Sequence, residues 1–353
     1  MMVIKKILYN QYLMFKYVFG NVKRYESGDE KSKLRKLIDL FKWQLRERDF
    51  NRMYYAYGLN IKGRGVNDFI GRREFLKIKD EKEKELKKRA GCENLEYEVV
   101  TKDKFIFNCF LQANNIPCAE IFGIIKNNVF INTVNGEFGI KELLKLHKDF
   151  VLKNITLEAS EGIFVCIINA NGIEMNGVYI SIDSFIEKIS NKIWLVQKLY
   201  ISHLKLREIN SSALNTTRIV TILKNSNPEY LTGFQSFATG NAKTDTWGKG
   251  SVYVGIDIRN ECLKKYGYFN PEDKNNSISD KHPDSGIIFT DFKIPYLKDA
   301  VNLCIRTHKL LYFNYVIGWD VAITDEGPVI IEANEKPGMN VVQCVDEGLR
   351  NKF

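Results

Sequence analysis

The sequence predicts an α+β fold preceded by a mostly helical front region, and three observations carry that reading. Glycine and proline are scarce across residues 4–17 and 32–50, where apolar residues recur at three- and four-residue spacing. From Tyr97 onward, short Val- and Ile-rich runs alternate with helical patterns. Near the end, two such runs flank a turn cluster and read as a β-hairpin. At 353 residues, 44% hydrophobic and 27% charged, the chain is long enough for one large domain or two to three smaller ones.

The front region, residues 1–95, contains the repeat Leu34, Leu37, Ile38, Phe41 and Leu45. It also holds Arg46, Arg48, Arg52, Arg64, Arg72 and Arg73 around the aromatic run Tyr54, Tyr55 and Tyr57. Such a mixture can grip phosphates, sugars or nucleic acid, although a solvated basic face with packed tyrosines explains it more simply than nucleic acid does. Residues 80–89 form a mixed-charge run, read as an exposed helix that ends at Gly91. Residues 104–114 read as a helix stopped by Ile116-Pro117, and residues 121–125 as a strand.

Asp149-Phe150-Val151-Leu152-Lys153 is a short buried strand ending in a lysine, followed by residues 154–162 and a second strand over 163–168. Strand, loop, strand with a lysine at the mouth suits a lid over phosphates. Residues 193–200 and 215–223 are further strands. The second carries Arg218 among β-branched residues, where an unpaired guanidinium is expensive, so an anion or a structural carboxylate should face it. Residues 238–255, rich in Gly and Thr with Lys243, Asp245, Trp247 and Lys249, form a loop too long for a mere connection. Residues 270–286 are polar and expected to be mobile. Pro295 opens a helix with Ala300, Leu303, Cys304 and Leu310 on one face.

The charge is uneven. Residues 1–95 hold 24 Lys and Arg against 13 Asp and Glu, while the remainder holds 28 against 30. A basic front suits an anionic polymer, a phosphorylated lipid, a membrane surface or simple solubility. Seven dispersed cysteines with no C-x-x-C argue for free thiols in a reducing compartment, and the default location is cytoplasmic. The apolar start is interrupted by Asn10, Gln11 and Lys16, which fits neither a signal peptide nor a spanning helix. Its mixture of lysine and aromatics leaves two readings open, an interfacial amphipathic helix with peripheral membrane contact and an ordinary core-packing helix.

The hairpin carries three metal-seeking side chains. A three-residue loop, Asp325-Glu326-Gly327, sets Thr324 opposite Pro328 and Asp320 opposite Glu332, with Asn334 one pleat further on the same face. Carboxylates opposed at ~5 Å between Cβ atoms repel unless a cation separates them, and oxygen-only ligands suit Mg²⁺ or Mn²⁺ better than zinc. The plain alternative is a hairpin whose carboxylates point into water.

G-x-x-x-x-G-K-[ST], H-E-x-x-H and G-x-S-x-G are all missing, as is a G-x-G-x-x-G between strand and helix. Three pieces are more specific: Asn215-Thr216-Thr217-Arg218-Ile219-Val220-Thr221; His282-Pro283-Asp284-Ser285-Gly286 with Phe292-Lys293-Ile294-Pro295; and Ile317-Gly318-Trp319-Asp320 through Gly327-Pro328-Val329 to Glu332-Ala333-Asn334. In this order, over about residues 40–350, the chain resembles the ATP-grasp superfamily, most closely its sugar-transfer-associated branch, related to glutamate ligases.

The resemblance implies two α+β subdomains clasping ATP, residues 96–200 with the lid and 201–353 with the metal site. Lys104 and Lys153 would hold phosphates, the backbone of Gln197, Lys198 and Leu199 would line the adenine pocket, and Asn215 would belong to the nucleotide site. Asp320, Glu332 and Asn334 would bind Mg²⁺, while Arg218 would face the transferring phosphoryl group with Lys153 beside it. ADP-forming ligation is the implied chemistry: a carboxylate attacks the γ-phosphate and an amine displaces phosphate from the acyl phosphate. Phosphoryl transfer is mostly positioning and charge neutralisation, so lysines, an arginine and Mg²⁺ are sufficient. One departure is the loop 154–162, which keeps a single glycine and adds two acids where relatives are glycine-rich.

The first expectation is an enzyme joining an amino acid or amine to a sugar carboxylate, such as a uronic acid, in bacterial surface-polysaccharide (capsule) assembly. In that reading the basic front serves the anionic acceptor. The alternatives are an ATP-dependent phosphotransferase on a sugar hydroxyl, and a catalytically degenerate protein that binds an anionic polymer.

Overall fold

The computed structural model describes residues 2–20, 28–132, 136–155, 162–169, 172–273 and 277–353. The front consists of helices α1 (Met2–Phe19), α2 (Lys33–Glu47) and α3 (Arg72–Arg89). Ser32 caps α2, its hydroxyl accepting from the Arg35 N–H at 3.2 Å, and Arg48 ends it in the left-handed region. Helices α1 and α2 run antiparallel: Lys6 lies 3.5 Å from Asp49 at one end, and Lys33 sits 5.1 Å from the Phe19 ring at the other. The apolar repeat of α2 does not face the core. Its buried side carries Lys36, Asp39, Leu40, Trp43 and Glu47, whereas Leu34, Ile38, Phe41 and Leu45 are exposed. Lys36 pairs with Glu30 at 2.6 Å and Asp39 with Lys31 at 2.7 Å, so the inward charges are neutralised.

After α4 (Val99–Lys102) and α5 (Lys104–Ala113), the chain builds an eight-stranded antiparallel sheet. Its members are β1 (Ile121–Lys126), β2 (Val129–Asn132), β3 (Gly136–Gly139), β4 (Asp149–Asn154), β5 (Ile163–Asn169), β6 (Gly172–Met175), β7 (Val178–Ile180) and β8 (Trp194–Gln197). Helices α6 (Ile140–Leu146) and α7 (Ile182–Ile189) cover one face, burying Phe130, Phe150, Leu152, Phe185 and Trp194. Strand β8 is shorter than the expected 193–200. A register shift between Ile121 and Gly123 interrupts its pairing with β1, the last pair is Ile121 with Gln197, and beyond it the Lys198 N–H goes to the Glu120 carbonyl at 2.9 Å.

Helix α8 (Leu204–Arg207) leads to a seven-stranded sheet. It comprises β9 (Thr216–Lys224), β10 (Asn227–Phe237), β11 (Val252–Asp257), β12 (Cys262–Tyr268), β13 (Ile278–Ser279), β14 (Val316–Thr324) and β15 (Gly327–Asn334), with α9 (Leu297–Leu310) before β14 and α10 (Met339–Val345) after β15. Strand alternation assigns the two faces. Ile219, Ile317, Trp319 and Val321 pack under α9 with Ala300, Leu303 and Cys304. Val220, Ile222 and Val316 face the other way and share a core with Tyr54, Tyr55, Tyr57 and Phe75 of the front region and with α10. The front region therefore closes one face of this sheet.

The stretch 270–286, expected to be mobile, is anchored where it is described. Strand β13 pairs with Gly267 and Tyr268, and His282 is fully buried. The closing hairpin turns through two residues, Asp325 and Glu326, with Thr324 opposite Gly327 rather than Pro328. The Thr324 hydroxyl tightens that turn, lying 2.9 Å from the Gly327 carbonyl and 3.0 Å from the Glu326 carboxylate, while Gly327 takes a φ of +119°. Among the described residues, no helix is long and apolar enough to cross a membrane.

Candidate active site

A cleft of about 370 Å³ lies between the two sheets. Strand alternation aims the first lysine at it: Phe150 and Leu152 of β4 enter the core, and Val151 and Lys153 line the cleft. Lys153 is buried, 6% exposed, with no hydrogen bond or carboxylate within 4 Å among the described residues. Burial pulls its ammonium below the ordinary lysine value; Glu332 opposes that shift and Lys104 adds to it. Lys104 is the first residue of α5, whose N-terminal N–H groups at Phe105 and Ile106 are capped by Asp103 at 2.9 Å. A lysine at the positive end of a helix reinforces attraction for an anion.

The opposite wall comes from the second sheet. Asp320 pairs directly with Glu332, and Asn334 lies one pleat further, its Nδ2 donating to Asp320 Oδ2 at 3.2 Å. The expected opposition of the two carboxylates is present, by a different route. The two-residue turn shifts the ladder by one, and a β-bulge at Ile331, between the pairs Val321/Ile330 and Asp320/Glu332, shifts it back. The bulge also lets the neighbours Ile331 and Glu332 both line the cleft, which adjacent residues of a regular strand do not do.

Arg218 is the cross-strand partner of Asp320 and grips it with a fork, Nε to Oδ1 at 2.6 Å and Nη2 to Oδ2 at 3.0 Å. Its other side lies 5.8 Å from the Phe234 ring. Burial works against the guanidinium charge, but Asp320 outweighs it and holds the Arg218 pKa above the usual value. Of the two partners open to Arg218 in the sequence, the carboxylate is the one present.

Gln197, Lys198 and Leu199 line the cleft edge, where the chain leaves β8. Asn215 does not line it. It is fully buried, its Nδ2 donating to the Asn210 carbonyl at 2.7 Å and its N–H to the Ser202 hydroxyl at 2.9 Å, so it braces the entry to β9. The loop 154–162 falls mostly on residues 156–161, outside the described residues; at its base the Asn154 N–H donates to the Gly162 carbonyl at 2.9 Å.

Two further residues were signalled only by their place in the long Gly- and Thr-rich loop. Lys243 lines the cleft without a carboxylate partner among the described residues. Asp245 beside it accepts from the Thr216 N–H at 2.7 Å and from the hydroxyls of Thr216 and Ser236. Burial raises the Asp245 pKa and those donors oppose the rise. The His282-Pro283-Asp284 piece fixes this loop from behind: His282 Nε2 lies 2.9 Å from the Ala238 carbonyl, and Asp284 accepts from the Gly240 N–H at 2.6 Å.

The donor set fits a hard divalent cation. Among the described residues no three His, Cys, Asp or Glu side chains converge as a metal site. Two carboxylates and an amide do converge, and the Glu332 carboxylate has no hydrogen bond or ion pair among the described residues. Asp320 Oδ1 keeps a lone pair beyond its bond to Arg218, whereas Oδ2 already accepts from both Arg218 and Asn334. Mg²⁺ commonly takes one or two carboxylates and completes its shell with water and phosphate oxygens.

No curated protein matches the chain. Among solved structures it is similar to the D-alanine–D-alanine ligase from Bacillus anthracis (15% identity, 69% of this chain and 59% of that one, TM-score 0.38). It is also similar to the D-alanyl-alanine synthetase A from Vibrio cholerae (11%, 72% and 62%, TM-score 0.40) and the phosphoribosylamine–glycine ligase from Thermotoga maritima (13%, 71% and 52%, TM-score 0.40). The chain spans less than two thirds of the length of each. Residues 85–353 match the family described as sugar-transfer associated ATP-grasp, and the chain belongs to that family.

Proposed function

We propose that the cleft binds ATP with Mg²⁺ and that the protein is an ADP-forming carboxylate–amine ligase. The observation that carries this reading is the convergence of three lysines without carboxylate partners among the described residues, Lys104, Lys153 and Lys243, with Asp320, Glu332 and Asn334 in one cleft. Ammonium groups converging on one cavity favour a polyanion, most strongly at the buried Lys153, whose own solvation is already lost.

In this reading Lys104 and Lys153 hold the phosphate chain, and the backbone at Gln197, Lys198 and Leu199 borders the base. Asp320, Glu332 and Asn334 would hold Mg²⁺, which when bound neutralises phosphate charge. Arg218 fixes the orientation of Asp320 by its two-point grip. It can also share its remaining N–H donors with a phosphoryl oxygen. The cleft offers positioning and charge rather than a side-chain nucleophile, which suits attack by a substrate carboxylate on the γ-phosphate and displacement of phosphate by an amine. The family's description associates it with sugar transfer, and our reading extends this to a sugar carboxylate such as a uronic acid, joined to an amino acid or amine in surface-polysaccharide assembly on the cytoplasmic side.

The test is an ADP-release screen over amino acids paired with uronic acids, with products identified by mass spectrometry. ADP with an amide is the expected outcome. ADP with a phosphate ester would replace the ligase by a phosphotransferase, and no nucleotide binding at millimolar concentration in calorimetry would overturn both.

A further inference from the structure

We propose that the paired helices α1 and α2 form a docking surface for the headgroup layer of an anionic lipid bilayer. Helix α1 buries Asn10, Met14 and Val18 against the protein. Turned away from that side, about 130° round the helix, Leu8, Tyr12, Phe15 and Phe19 stand at spacings of four, three and four residues, each more than half exposed. Helix α2 repeats the device: Leu34, Ile38, Phe41 and Leu45 have the same spacing and are 37–68% exposed, opposite buried Leu40, Trp43 and Glu47. Each stripe is ~16 Å long at the helical rise. Single exposed apolar residues need no explanation, but two neighbouring stripes of four on antiparallel helices do.

Charge selects the occupant. Helix α1 contains no acid, and both acids of α2, Asp39 and Glu47, are buried on its inner side. Lys5, Lys16, Lys33 and Lys42 are exposed on the two helices with no carboxylate within 4 Å among the described residues. Lys33 lies over the Phe19 ring at 5.1 Å, an ammonium at the rim of an apolar stripe, as interfacial lysines are arranged. A second copy meeting this face would set lysines against lysines with no acid on the outer side of either helix to neutralise them. An anionic headgroup layer supplies the missing charge, while the acyl boundary beneath it takes the aromatic and aliphatic stripes. The helices would lie in the interface plane, since neither can cross it.

The full chain should cosediment with vesicles of phosphatidylglycerol mixed with phosphatidylcholine, and about tenfold less with phosphatidylcholine alone. A variant combining Phe15→Ser, Phe19→Ser, Phe41→Ser and Leu45→Ser should lose binding about tenfold or more. A variant combining Lys5→Glu, Lys16→Glu and Lys42→Glu should lose it to a similar degree. All these side chains are exposed, so both variants should melt at the wild-type temperature, which separates lost docking from lost folding. Wild-type protein that stays in the supernatant, or a serine variant that sediments as wild type does, would overturn the proposal. So would a serine variant that converts a wild-type dimer into a monomer without vesicle binding, which would assign the face to a second copy.

Discussion

Lys153 brings a positive charge into the protein without a counter-charge in contact among the described residues, which is a cost to folding. Lys153→Met should therefore act in opposite directions on stability and binding. Removing the buried ammonium should raise the melting temperature by about 2 °C, while nucleotide affinity by calorimetry falls about tenfold or more. A variant that loses stability and binding together would show that Lys153 is structural. Asp320 tests the other wall. Asp320→Asn keeps an oxygen for Asn334 but releases the two-point grip of Arg218, so Mn²⁺ affinity in the presence of nucleotide should fall about tenfold or more. An unchanged Mn²⁺ affinity would remove Asp320 from the metal set. At this scale Arg218 was readable as a charged residue in a run of β-branched ones, where only a partner or a ligand justifies it, Asp320 and Glu332 from the hairpin register, and Lys153 from its place at the end of a buried strand. Lys243 was harder to single out, because it sits in a polar loop of no regular period and only the fold brings it to Lys153.

At the scale of elements, α9 supports the hairpin strand through a relay of side chains. The Trp319 indole N–H donates to the Thr221 hydroxyl at 2.8 Å, Thr221 lies 2.7 Å from His308 Nδ1, and His308 Nε2 lies 2.8 Å from the Asn314 carbonyl. The carbonyl requires the proton on Nε2, so Nδ1 accepts from Thr221, whose oxygen accepts from Trp319. Burial pushes His308 down to about 4. Its folded value lies below the unfolded one, so between pH ~6.5 and ~4 the unfolded chain binds the extra proton and stability drops as pH falls. The full effect is ~3 kcal/mol, complete below pH ~4, and His308→Gln should flatten that part of the pH–stability curve measured by urea unfolding. The same element shows what sequence leaves out. Alternation in β14 and β15 places Asp320 and Glu332 on one face, but turn length and bulge position each shift a ladder by one residue, and here the shifts cancel. Periodicity likewise identifies α2 as amphipathic without saying which stripe is inward, because Lys36 and Asp39 can be buried once their partners Glu30 and Lys31 arrive from outside the helix.

At the scale of the whole molecule, the basic front and the cleft occupy the same face of the seven-stranded sheet. Val220, Ile222 and Val316 at one end of β9 and β14 pack on Tyr54, Tyr57 and the front helices, while Arg218 and Asp320 at the other end line the cleft. Polar contacts tie the two together. Gln343 of α10 bonds both the N–H and the carbonyl of Ile70, at 3.0 and 2.9 Å, and Arg350 pairs with Glu74 at 2.9 Å. Under β14, Glu83 of α3 accepts the Tyr315 N–H at 2.9 Å and pairs with the fully buried Lys79 at 2.6 Å. Lys79→Met alone would strand the Glu83 charge and cost ~3–5 kcal/mol in chemical unfolding; adding Glu83→Gln, which keeps an acceptor for Tyr315, should restore much of that. A chain lacking residues 2–89 would expose Val220, Ile222, Phe234 and Tyr315 together and free the Tyr315 N–H. It should lose nucleotide binding and acceptor use alike, because the sheet that positions Asp320 keeps the cover of α9 on one face but loses it on the other. The expected calorimetric trace has no cooperative transition. A truncated chain that melts cooperatively and binds nucleotide as tightly as the full chain would show instead that the front region only serves the acceptor.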